Sequence, residues 1–363
     1  MAKNVVVCCD GTANEFVKAH TNVLKLFRML DNAPGRQVAY YHPGLGTMEA
    51  IGALTSLARQ TTKLLGLAVG YGLEREICEA YAFIMQNYEP DDALYLFGFS
   101  RGAYTVRAVA SLLHMCGLLS AGNEPLVPYA VRLMSAANNR KDGEIFEMAA
   151  DFRETFRGAP CKPHFVGVWD TVSSVGWIAN PLSLPYTANN PDIAIGRHAV
   201  SLDERRAFFR SNLWRPDPPE TATGPKNLQQ VWFPGDHCDV GGGHPEADSG
   251  LSKFALEWMA REAALAGLAV DRTKIDELMG RAGSRFAKAD PNATMHDSLT
   301  IWWRPAEYIP KRHWNWQTRQ SEWRMNLGRR RTPPPKPLVH KVAFERAGYT
   351  PPPGAEKVET PPW

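Results

Sequence analysis

Gly98-Phe99-Ser100-Arg101-Gly102 is a G-x-S-x-G string set between a short apolar run and a helix-compatible segment. In that context the string predicts a nucleophile elbow, a strained turn that lifts the serine hydroxyl to the end of a strand. A serine hydroxyl attacks poorly unless a neutral imidazole takes its proton, and the imidazole then needs a carboxylate at its other nitrogen. Asp170 follows the apolar run His164–Trp169, and His237 follows Leu228–Phe233, so both stand where Ser100 stands, just beyond a strand. The assignment is Ser100 as nucleophile, His237 as general base and then acid, and Asp170 as orienting carboxylate. His296 and His244 are rival bases, and Asp236 and Asp239 are rival carboxylates. A developing oxyanion needs N–H donors aimed at it. The backbone of Arg101 supplies one at the start of the next helix, and the Gly11-Thr12 loop is expected to supply the second. Asp10 belongs with that loop, either touching substrate or holding the turn.

The elements that must position these groups are legible as alternating strands and helices. Val5–Cys9 is an unbroken apolar run closed by Asp10-Gly11-Thr12, as suits a strand buried on both faces. Thr21–Leu30 has helical spacing, Gln37–Tyr41 reads as a strand, and Leu54–Tyr88 reads as mostly helical with an interruption at Gly70-Tyr71-Gly72. Ala93–Phe97 is the elbow strand and Arg101–Cys116 its helix. The prediction is an α/β, doubly wound, mostly parallel sheet of α/β-hydrolase type, with ligands beyond the carboxyl ends of its strands. The expected division is a core over 1–266, with lid-forming inserts at 120–160 (helical) and 176–227 (few periodic runs), and an aromatic-rich C-terminal extension over 267–363. That extension holds Trp302, Trp303, Trp314, Trp316 and Trp323 among Arg304, Lys311, Arg312 and Arg319, then Arg329-Arg330-Arg331 and a Pro-rich tail. Indoles and cations suit a lipid interface, but packing of the extension onto the sheet is the favoured reading.

Bulk properties narrow the function classes. Among 363 residues, 41 Lys and Arg face 38 Asp and Glu, a net charge of +3 that makes no case for nucleic acid. Six scattered cysteines without C-x-x-C spacing read as free thiols in a reducing compartment. Neither a secretory signal nor an apolar run of membrane-spanning length is visible, so a cytoplasmic chain is expected, with signal-less export left open. No cofactor is called for, and oligomeric state is left open. Gly241-Gly242-Gly243 suits a tight turn under the pocket and lacks the lysine spacing of a phosphate loop. Two other classes remain beside the serine esterase. One is a metal-dependent phosphoesterase built on Asp10, Asp170, Asp236, His237 and Asp239. The other is a non-catalytic binding protein on the same fold.

Several blocks together resemble a known family. They are Asp10-Gly11-Thr12-Ala13-Asn14, Tyr40 to Thr47, Gly70 to Tyr88, Gly98 to Arg107, Val168-Trp169-Asp170-Thr171-Val172 and Gly235 to Gly243, with Val339 to Tyr349 resembling a closing segment. The chain is similar in these to the DUF2235 family of α/β hydrolases, whose best-known members are phospholipase effectors of bacterial type VI secretion. The resemblance implies a Ser–Asp–His hydrolase; the expected substrate is a small-molecule or lipid ester, and peripheral membrane contact through the tryptophan-rich segment is left open. Its triad carries onto Ser100, Asp170 and His237.

Overall fold

In the first strand, β1 (Asn4–Cys9), the residues Val5 to Cys9 are all buried, and their side chains divide by parity. Val5, Val7 and Cys9 enter one core, while Val6 and Cys8 enter the other. A strand covered by helices on both faces has no solvent side, which is why no polar alternation marks it. The computed structural model describes residues 2–11, 20–44, 62–137, 143–172, 176–177, 180–181, 184–214, 224–281, 283–316, 318 and 320–363. Thr12, Ala13, Asn14 and the block from Leu45 to Thr47 lie outside them.

After β1 come β2 (Gln37–His42), β3 (Ala93–Phe99), β4 (Pro163–Trp169), the short β5 (Gly176–Trp177) and β6 (Asn180–Pro181), and β7 (Ile195–Ser201). They are followed by β8 (Asn227–Phe233), β9 (Lys311–Asn315), β10 (Gln320–Arg324), β11 (Leu338–His340) and β12 (Glu356–Val358). Eight of these form one sheet in the order β12-β11-β8-β7-β4-β3-β1-β2, and each neighbouring pair is parallel. β5 with β6 and β9 with β10 are separate antiparallel pairs.

On the face of Val5 and Val7 lie α2 (Thr62–Asn87), α3 (Arg101–Cys116), α4 (Val127–Ala136) and α5 (Gly143–Phe156), which share one apolar cluster. The opposite face is covered by α1 (Asn22–Met29), α7 (Ser252–Leu265) and α8 (Arg272–Leu278). The short helices α6 (His237–Gly241), α9 (Arg304–Glu307) and α10 (Val342–Glu345) complete the order. The order in which strands are added reverses at β1, with β2 on one side and β3 on the other, and ligand crevices in such sheets open there.

Three local expectations are revised. The helix α2 runs through Gly70-Tyr71-Gly72 without a break, because a glycine costs a helix only about 1 kcal/mol and the flanking turns outweigh it. The stretch 176–227, expected as an insert, carries the central strand β7 between β4 and β8. Its Arg197 and His198 hid it, yet both are buried with partners: Arg197 on Glu262 at 2.7 Å and His198 on the Thr171 N–H at 3.1 Å. The C-terminal region in turn contributes β11 and β12 to the same sheet.

Candidate active site

Ser100 follows β3 at φ 57° and ψ −119°. A non-glycine residue held there stores about 1–3 kcal/mol of strain. Its flanking glycines are required by the close approach of α3 to the sheet. A Cβ on Gly98 would lie 2.4 Å from the Gly102 carbonyl oxygen, and one on Gly102 would lie 2.2 Å from the Cys9 carbonyl oxygen. The Ser100 N–H donates to the Trp169 carbonyl at 3.1 Å, which ties the elbow to the end of β4.

One residue further on, Asp170 is fully buried. Its Oδ2 lies 2.5 Å from His237 Nδ1, and its Oδ1 accepts the Ser201 N–H at 2.9 Å. Arg331 donates to both oxygens, through Nη1 to Oδ1 and through Nη2 to Oδ2 at 3.0 Å. Burial alone would raise this carboxyl's pKa. The guanidinium of Arg331 and the His237 ring outweigh it and hold Asp170 well below the usual carboxylate range. An ionised carboxylate only accepts, so His237 Nδ1 carries the proton between them, which makes Nε2 the nitrogen that can take one from Ser100.

His237 opens α6, whose N-terminus is fixed by a reciprocal cap. Asp236 accepts from the Cys238 and Asp239 N–H groups, and Asp239 accepts from that of Asp236. The His237 N–H donates to Glu204 Oε2 at 3.2 Å, and Arg206 holds Glu204 through two hydrogen bonds of 2.8 and 2.9 Å. The imidazole is flanked by Phe99, with ring centroids 4.6 Å apart, and by Phe209 at 4.9 Å. Gly241 is needed one turn later, because a Cβ there would fall 1.9 Å from the Phe99 ring. The described contacts thus include Asp170 to His237 and do not include a hydrogen bond from the Ser100 hydroxyl to His237. Catalytic bonds of that kind often tighten only with substrate in place.

Around the elbow, the Arg101 amide sits at the first position of α3. Gly11 approaches Ser100 closely, a Cβ on it being 3.2 Å from the Ser100 Cβ. The Gly11 N–H donates to Asp10 Oδ1 at 2.7 Å, while Asp10 Oδ2 accepts from the Thr21 and Tyr41 hydroxyls. Asp10 therefore shapes the loop after β1. Thr12, the other expected donor, lies outside the described residues.

The rival bases are occupied elsewhere. His244 Nε2 stands 3.1 Å from Asp236 Oδ1, and His296 Nδ1 stands 2.7 Å from Asp239 Oδ1. The donors enlisted for a metal-dependent phosphoesterase consequently fall into three separate groups, around Asp10, around Asp170 with His237, and around Asp236 with Asp239.

Sequence reasoning missed Arg331, Glu204 and Phe209. Nothing in the chain distinguishes Arg331 from its two arginine neighbours. The tryptophan segment divides between its two readings. Trp303 packs on Phe208 and Phe209 at 6.0 and 5.5 Å, whereas Trp302 is 88% and Trp323 62% exposed. Lys311, expected among the interfacial cations, is buried. Among the described residues no helix is long and apolar enough to cross a membrane.

A family model described as the catalytic domain of Tle1-like type VI secretion phospholipase effectors matches residues 3–262. An uncharacterized protein of Saccharomyces cerevisiae is 36% identical over 228 residues, which is 60% of this chain and 33% of that protein. An uncharacterized protein from Pseudomonas aeruginosa superposes with a TM-score of 0.44 at 21% identity, over 76% of this chain and 47% of that one. The Tle1 effector bound to the VgrG spike of the type VI secretion system gives a TM-score of 0.34 at 18% identity, over 69% of this chain and 53% of that one. The chain thus spans from a third to about half of the length of these relatives.

Proposed function

The chain belongs to the Tle1-like phospholipase effector family of type VI secretion, and from that premise we propose that it is a serine hydrolase cleaving the carboxylic esters of lipids. The observation that carries this reading is the strained Ser100 at the end of β3, with the Asp170–His237 pair beyond the ends of β4 and β8. In the proposed reaction the Ser100 Oγ attacks the ester carbonyl carbon while His237 Nε2 takes its proton. The Arg101 N–H, at the first position of α3, faces the oxyanion. Collapse of the tetrahedral intermediate expels the alcohol, which His237 protonates, and leaves an acyl group on Ser100. Water activated by the same imidazole then releases the fatty acid.

Asp170 holds the imidazole in one tautomer and stabilises it when it carries two protons. The flanking Phe99 and Phe209 rings limit its rotation and keep water from its faces. The exposed Trp302 and Trp323 belong to the same C-terminal region as Trp303, which packs on Phe209 beside His237. On this reading they touch the lipid surface from which substrate is drawn.

Fluorophosphonate labelling, with mass spectrometry of products from phospholipid vesicles and small esters, tests the proposal. The wild type is expected to label and to release fatty acid. Ser100→Ala is expected to lose the label and to drop turnover on the order of 10⁴-fold or more. Equal labelling of the two proteins removes Ser100 as nucleophile. Hydrolysis that a chelator abolishes while serine probes leave it untouched moves the chain to the metal-dependent class.

A further inference from the structure

A second gathering of reactive side chains lies beside the triad and takes no part in it. Asp239, His244 and His296 each offer one ligand atom, and these atoms lie within 4.8 Å of one another. His296 Nδ1 is 2.7 Å from Asp239 Oδ1, and His244 Nε2 is 3.8 Å from the same oxygen. The two imidazole rings are stacked, with centroids 3.7 Å apart and planes inclined by 20°. Ligand atoms in a tetrahedral zinc site, with bonds of about 2.0–2.1 Å, stand roughly 3.3 Å apart. The two measured separations bracket that spacing.

The groups are also aimed by their surroundings. Asp239 Oδ2 is held by the N–H groups of Asp236 at 3.0 Å and His296 at 2.9 Å, which leaves Oδ1 directed at the rings. Asp236 Oδ1 stands 3.1 Å from the same His244 Nε2, so this nitrogen faces both carboxylates, and the Asp236 oxygens are fixed by two α6 amides and the Ser298 hydroxyl. Contacts like the two amides on Asp239 Oδ2 orient a metal-ligating carboxylate and restrict its movement. The Asp239 side chain is 2% exposed, while those of His244 and His296 are 19% and 23% exposed, so the cluster is anchored inside and open to solvent at one side.

We propose that Asp239, His244 and His296 bind one divalent transition-metal ion of the zinc class. Two imidazole nitrogens with one carboxylate oxygen favour such an ion over calcium or magnesium, which take oxygen ligands. Each of the three donors has a lone pair to share, and a cation at their common centre replaces the protons that now join nitrogen to oxygen. Asp239 lies two residues after His237 on α6, and His296 comes from the C-terminal region. The ion therefore fastens the helix carrying the catalytic base to a segment beyond residue 262. Its role is to position α6; the ester chemistry proposed above needs no metal.

The test uses the full chain, stripped with a chelator and dialysed, and reads binding and stability, not turnover. Calorimetric titration with zinc chloride is expected to show one saturable equivalent and a raised melting temperature. Cobalt(II) is expected to give the strong visible bands of a four-coordinate site in the wild type. His296→Ala and His244→Ala, each checked for folding by circular dichroism, are expected to lose more than the roughly 10–100-fold in affinity that an outer-shell change costs. Calcium and magnesium are expected not to compete. Absence of saturable zinc binding overturns the proposal, as does unchanged affinity in both histidine variants. The cobalt spectrum decides the matter should the variants fail to fold. These readouts stand whether or not Ser100 proves to be the nucleophile.

Discussion

Replacing Arg331 by methionine keeps most of the side chain's bulk and removes its charge and its hydrogen bonds. In the wild type its guanidinium holds both oxygens of Asp170, the Ser201 carbonyl at 3.3 Å and the Phe209 carbonyl at 2.5 Å. The Arg331 side chain is 8% exposed and that of Asp170 is fully buried. Removing one partner of a buried ion pair costs about 3–5 kcal/mol, because the other charge stays in low dielectric. Asp170 retains the His237 ring and the Ser201 N–H, which places the expected loss at the lower end of that range. At ~2 °C per kcal/mol for a chain of this length, the melting temperature falls by ~6 °C.

Arg330 is the comparison: it pairs with Asp203 at 3.0 Å with 59% of its own side chain exposed, and the buried Asp203 keeps the Gly235 N–H and the Tyr349 hydroxyl, so Arg330→Met is expected to cost less than Arg331→Met. In an Asp170→Asn background the Arg331→Met change is expected to cost at least ~1 kcal/mol less than in the wild type, since the charge it neutralised is gone. Acid unfolding gives an independent readout. Because Asp170's carboxyl is held below its unfolded value, it contributes stability above about pH 4 and loses it as pH falls toward the folded value. Loss of the cation raises the folded value, so the acid midpoint of Arg331→Met moves to higher pH. Urea and thermal unfolding that place Arg331→Met within ~1 kcal/mol of wild type, or level with Arg330→Met, would refute this account of the pair.

Two further outcomes are expected. Gly102→Ala puts a Cβ 2.2 Å from the Cys9 and 2.5 Å from the Asp10 carbonyl oxygens, both backbone atoms that no rotamer change can move. The start of α3 must then back away from β1, costing about 1–3 kcal/mol and slowing fluorophosphonate labelling of Ser100 by on the order of 10²-fold; unchanged labelling kinetics count against an elbow held by this contact. Trp302→Ala with Trp323→Ala is expected to weaken co-sedimentation with phospholipid vesicles while leaving the unfolding free energy within ~0.5 kcal/mol, as for exposed sites generally; undiminished sedimentation removes these two indoles from the lipid contact.

Much of the scaffold was legible because its signals are local. The apolar run from Val5 to Cys9, the helical spacing from Thr21 to Leu30 and the glycines around Ser100 each report on residues within a turn or two of themselves. The helix Arg101–Cys116 begins and ends at its expected residues. Strand ends could be located, and the polar groups just beyond them identified, since a parallel sheet puts its carboxyl ends on one edge. In contrast β7 was hidden, because its arginine and histidine are satisfied by Glu262 and Thr171, partners 65 and 27 residues away.

The amino-acid chain by itself determined a strand–turn–helix carrying Ser100, a parallel α/β sheet, and a short set of candidate carboxylates and imidazoles. Only tertiary contact decided that Asp170 takes His237 while His244 and His296 go to Asp236 and Asp239. The same holds for Arg331, which alone of three consecutive arginines reaches the buried carboxylate, across 161 positions of chain. The physical reason is common to both. Local periodicity records which side chains must leave water, whereas a buried charge is tolerable only beside its partner, and that partner is chosen by the fold.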